Sequence, residues 1–70
     1  MQMQSVVSSD IRAIGYDENS LTLRIEFNSG GVYEYFGVPV SVHSDLMNAS
    51  SHGKYFHRYI RDKYEFPKLS

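Results

Sequence analysis

Residues 21–36 read L-T-L-R-I-E-F-N-S-G-G-V-Y-E-Y-F, and their alternation decides the fold. Leu21, Leu23, Ile25 and Phe27 fall on one side of an extended chain. Thr22, Arg24, Glu26 and Asn28 fall on the other, which is the period of a strand with one buried face. Ser29-Gly30-Gly31 can supply the positive φ angles of a tight hairpin, and residues 32–36 return as a second strand. Tyr33 and Tyr35 then share one face, with Val32, Glu34 and Phe36 opposite. The pattern predicts an antiparallel hairpin at the centre of the domain.

Upstream, residues 5–16 read as a further strand, interrupted near Ser8-Ser9-Asp10, and Asp17-Glu18-Asn19-Ser20 is a turn. Downstream, Val38-Pro39 ends the hairpin, because proline cannot donate to a ladder but can open a helix. Residues 40–49 fit a short helix with Val42, Leu46 and Ala49 as its apolar stripe. Residues 50–64 fit a second, with Phe56, Ile60 and Tyr64 spaced four apart. Ser50 or Ser51 can cap that helix, and Pro67 closes the region. The expected fold is α+β: a three-stranded antiparallel meander followed by two helices on one face, β-β-β-α-α, as a single domain over residues 1–70.

A chain of 70 residues is near the lower limit for folding without staples, and it has no cysteine, so disulfides, thiolate catalysis and cysteine-bound zinc are excluded. Leu, Ile, Val and Phe number 18, enough for a small core to which the ten aromatic residues must add. A core of this size leaves self-association open. The start M-Q-M-Q-S-V-V lacks the basic and apolar segments of a secretory signal, and no run reaches the length of a membrane span. A cytoplasmic location with no membrane partner is the expectation.

The net charge of −1 argues against indiscriminate coating of nucleic acid, but the charge is unevenly placed. Residues 1–53 carry −4 and residues 54–70 carry +3. Lys54, His57, Arg58 and Arg61 follow the i, i+3, i+4, i+7 spacing of one helix face. Uncapped N–H groups at a helix start, with the helix dipole, favour an anion there. Ser50, Ser51, Gly53, Lys54, His57, Arg58 and Arg61 are therefore the candidate phosphate-binding residues. The plainer alternative is a capped surface helix with solvated charges. The G-x-x-x-x-G-K-[ST] spacing of a nucleotide P-loop is absent.

Tyr33 and Tyr35 invite comparison with the stacking platforms of RNA-binding sheets, although rings on that strand face can equally pack beneath the helices. Tyr55 and Tyr59 lie nearer the basic stripe and are the better stacking candidates. The three histidines, His43, His52 and His57, lack the i, i+4 spacing of a zinc pair, and no serine, histidine and acid are arranged for catalysis. No metal, cofactor or enzymatic activity is expected.

The patterns S-S-x-I-x-A-I-G-Y-D at 8–17, L-x-L-x-x-x-F-x-S-G-G-x-Y-x-Y-x-x-V-P at 21–39 and A-S-S-x-G-K-Y-F-x-x-x-I-R-D-K-Y at 49–64 resemble the KTSC domain. That module is named for its occurrence at the C-terminus of some lysyl-tRNA synthetases. The resemblance covers nearly the whole chain in order and carries Tyr16, Gly30, Tyr33, Tyr35, Val38, Pro39, Ser51, Gly53, Tyr55, Phe56, Ile60, Arg61 and Tyr64. His57 stands where the family often has Asn or a similar polar residue. The resemblance implies an accessory module, and the synthetase association implies RNA as ligand. The leading expectation is thus a non-enzymatic module for a phosphate-bearing ligand, RNA first. A protein-interaction or self-association module and a small nucleotide-binding domain are the alternatives.

Overall fold

The structure, a computed structural model, describes residues 1–64. The expected stop at Pro67 lies outside the described residues. Four strands, β1 (Met3–Ser5), β2 (Ile11–Asp17), β3 (Thr22–Phe27) and β4 (Val32–Tyr35), form one antiparallel sheet in the order β1-β2-β3-β4. Helices α1 (Val40–Asn48) and α2 (His52–Tyr59) follow. The class is α+β, but with four strands where three were expected.

The extra strand arises at the suspected interruption. Ser8 Oγ accepts from the amides of Asp10 and Ile11, both at 3.2 Å, and this serine turn reverses the chain. What reads as one broken strand is therefore two, and β1 folds back on β2 with Met3 opposite Gly15. Asn28 fastens the turn to the central hairpin. Its amide donates to the Asp10 carbonyl at 2.9 Å and its side chain to the Ser8 carbonyl at 3.0 Å.

The central hairpin forms as the alternation requires. Leu23 pairs with Tyr35 and Ile25 with Tyr33 on the core side. On the other side Arg24 lies opposite Glu34, and its guanidinium donates to that carboxylate from Nε at 2.9 Å and Nη2 at 2.5 Å. Gly30, at φ +103°, takes the left-handed turn position that a side chain would strain. Leu21 departs from the expected strand. It sits at φ +53° as the last turn residue and is exposed, so the alternating face begins at Leu23. Phe36 likewise lies beyond β4 and is exposed.

The core lies between the sheet and the helices: Ile11, Ile14, Leu23, Ile25 and Tyr35 from the sheet meet Val38, Leu46, Phe56 and Ile60. Each of these large side chains is worth roughly 1.5–3 kcal/mol on burial. Phe56 is the hub, since its ring makes edge contacts with both Phe27 and Tyr35 at centroid distances of 5.3 Å. Tyr16, carried from the β2 end, donates its hydroxyl to the Val38 carbonyl at 2.5 Å and stacks on His43 of α1 at 4.4 Å. The sheet is thereby tied to the first helix.

Helix α2 is shorter than the apolar spacing predicts. The spacing predicts a helix running from the Ser50-Ser51 cap to Tyr64, but the helix ends at Tyr59. The Phe56 carbonyl accepts from the amides of both Ile60 and Arg61 at 3.0 Å, which closes the last turn. Ile60 still reaches the core and Tyr64 still packs against it. The four-residue spacing correctly marks the buried residues while overstating the helix.

Candidate functional site

The beginning of α2 is built by Ser51, whose side-chain oxygen accepts from the Lys54 amide at 3.3 Å. His52 Nδ1 donates to the Leu46 carbonyl at 2.9 Å and thereby docks the start of α2 on the end of α1. From this fixed start, Lys54 and Arg58 project into one open hollow of about 270 Å³, shared with Ser50, Ser51, Tyr55 and Tyr59. Among the described residues no carboxylate pairs with Lys54 or Arg58. The Arg58 guanidinium lies 5.8 Å from the centre of the Tyr59 ring, and Tyr55 and Tyr59 contact each other at 4.6 Å. Tyr59 is 48% exposed. Burial and the neighbouring Asp45 carboxylate raise the Tyr55 hydroxyl above the ordinary phenol value, so that ring is a proton-bearing donor at neutral pH.

The other expected ligand residues go elsewhere. His57 faces away from this hollow: its Nε2 lies 2.6 Å from Asp10 Oδ2 on the serine turn, each side chain being 44% exposed. Gly53 is buried against the same turn, where an added Cβ would lie 3.4 Å from the Asp10 Cβ. Gly53 packs on the 8–10 turn, and the exposed His57 pairs with it from the next turn of α2. Sequence reasoning missed Asp10, and no local signal could have revealed a partner 47 positions away.

Arg61 is also separated, because the helix ends before it. Together with His57 and Asp62 it borders a second hollow of about 370 Å³, with Phe27, Tyr33 and Phe56 among its walls. Its charge acts on Tyr35 by lowering that hydroxyl's pKa. Burial and the Tyr33 phenol outweigh it and push Tyr35 up to about 12. Tyr35 is 2% exposed and Tyr33 packs against the core, so the expected β4 stacking face is an interior face. The single basic stripe of the sequence is therefore two sites on two sides of α2. Only Ser50, Ser51, Lys54, Tyr55, Arg58 and Tyr59 remain together. Among the described residues, no three acidic or histidine side chains converge as a metal site, and no helix is long and apolar enough to cross a membrane.

Sequence comparison places this arrangement among known proteins. The chain is 50% identical over 62 residues to a lysine–tRNA ligase of Nostoc punctiforme, and 47% identical over 62 residues to one from Trichormus variabilis. Each alignment takes in 89% of the chain but only 11% of the ligase, so the chain spans about a tenth of those relatives. An uncharacterised protein of Stutzerimonas stutzeri is 34% identical over 91% of the chain and 90% of its own length. The crystal structure of a KTSC domain protein from Yersinia pestis superposes with a TM-score of 0.96 at 40% identity, covering 99% of this chain and 97% of that one. The sequence profile of the KTSC domain matches residues 7–64. On this agreement of sequence and fold, the chain belongs to the KTSC domain family.

Proposed function

We propose that the domain is a non-enzymatic binding module for a phosphate-bearing ligand, RNA in the first place, and that it binds through the hollow at the start of α2. The observation that carries this reading is the placement of two cations, Lys54 and Arg58, that have no carboxylate partner among the described residues, beside the serine-rich helix start. Support comes from the relatives that carry a similar segment within enzymes named for charging tRNA. Ser50, Ser51 and the two cations hold phosphate oxygens in this reading. Arg61, His57 and Gly53 do not take part.

Filter binding of tRNA over a range of salt concentrations tests it. Two phosphate contacts at about −0.7 each give a slope near −1.4 in log K against log salt. Lys54→Glu combined with Arg58→Glu should abolish binding while Arg61→Glu leaves most of it. Binding indifferent to salt and to the double charge reversal would reject the proposal. A second reading, docking on another protein or on a second copy, draws on the exposure of Leu21, Phe36 and Val40. Light scattering that gives a strict monomer would remove its self-association form.

A further inference from the structure

We infer that the hollow at α2 selects single-stranded over duplex RNA, with Tyr59 as the stacking surface for one unpaired base; this rests on the RNA reading above. A site for phosphate alone needs positive charge and N–H donors, and an aromatic ring adds nothing to it. Here Lys54 and Arg58 share their hollow with Tyr55 and Tyr59, and the Tyr59 ring is half exposed about two helix turns from the serine cap. A large ring left at the surface of so small a protein forgoes burial in a core that needs it.

The two tyrosines differ in a way that assigns the role to one of them. Tyr55 packs against the core, and Asp45 is a close electrostatic neighbour of its hydroxyl. Tyr59 contacts Tyr55 on one side and has the Arg58 guanidinium 5.8 Å from its centre. Tyr55 thus braces Tyr59, and Arg58 can serve both the ring and a phosphate. In a duplex the base faces are covered by their neighbours, and only phosphates and groove edges reach a protein. Only an unstacked base can use the Tyr59 ring, and its own backbone then lies within reach of Lys54 and Arg58.

The size of the hollow sets the length of the ligand. At about 270 Å³ and open to solvent, it falls below the 300–1000 Å³ of clefts that enclose small molecules. Its openness suits one unit of a passing strand better than a ligand that must be enclosed on all sides. Binding should be weak in sequence preference, because every base offers a π face and the cations and serines of the hollow are engaged by phosphate oxygens in this reading.

The test uses the whole chain and a fluorescein-labelled RNA of about twelve nucleotides, either single-stranded or annealed to its complement, read by fluorescence anisotropy at low salt. The single strand should bind at least about tenfold more tightly than the duplex. Tyr59→Ala should weaken single-strand binding about tenfold, equivalent to about 1.4 kcal/mol, and leave the duplex unchanged, whereas Tyr59→Phe keeps the wild-type preference. Circular dichroism melting of each variant separates loss of the ring from loss of the fold. Equal affinity for the two forms, or a Tyr59→Ala protein with the preference intact, would overturn the inference while leaving RNA binding standing. Displacement of the strand by micromolar adenosine monophosphate would overturn it as well. No binding of either form would remove the RNA reading itself.

Discussion

At the scale of the residue, His57 shows how one side chain can change meaning between sequence and fold. Its spacing from Lys54 and Arg61 marks it as part of a basic stripe, yet it lies against Asp10. Both groups are substantially exposed, so the pair should contribute at most about 1 kcal/mol. His57→Ala is expected to lower stability by no more than that in urea unfolding, and to leave RNA affinity unchanged. A large loss of affinity in a folded His57→Ala protein would return this residue to the binding site. His43 behaves differently, because burial beneath the Tyr16 ring lowers its pKa below the ordinary 6.5. The folded state then favours the neutral ring. Its contribution to stability is complete above about pH 6.5 and is lost as pH falls from there through the lowered folded-state value. Unfolding free energy measured between pH 7 and pH 5 should decline, and His43→Phe should flatten that part of the profile. An unchanged slope in the variant would assign the decline to other groups.

At the scale of the element, α2 gathers the two kinds of work into one short helix. Phe56 and Gly53 face inward, and Lys54 and Arg58 face the open hollow. Ser51→Ala should cost about 1 kcal/mol through the lost cap. Phe56→Ala should cost about 3–5 kcal/mol, because three elements meet on that ring. Gly53→Ala should have the opposite sign. Its new methyl group would meet Asp10 at an ordinary contact distance, and alanine is favoured over glycine in a helix by up to about 1 kcal/mol, so the melting temperature should rise. A marked fall would show that the helix sits closer to the turn. The hairpin was legible in the sequence because both the alternation and the Gly30 turn are local signals. The end of α2 was not, because Ile60 and Tyr64 remain buried whether or not the chain between them is helical. Period reports burial, and only the double use of the Phe56 carbonyl reports where the helix stops.

At the scale of the whole molecule, four strands and two helices enclose one core, and the charge asymmetry of the chain becomes a question of which side of α2 each cation reaches. Lys54 and Arg58 reach one side and Arg61 the other, a division that depends on the helix ending at Tyr59. The family resemblance was legible from end to end because its motifs follow the turns and core positions of the fold. The site was only half legible. Cations identified by helical spacing stay together only as far as the helix does, and the tertiary partner of His57 lies at the other end of the chain. Localised binding by α2 is the claim on which the functional account rests. Titration of the ¹⁵N-labelled chain with single-stranded RNA, followed by amide chemical shifts, tests it most directly. Saturable shifts should concentrate at Ser50, Ser51, Lys54, Arg58 and Tyr59, with Arg61 and the hairpin little changed. Shifts centred on Arg61, Tyr33 and Ser29, or no shifts at all, would contradict it.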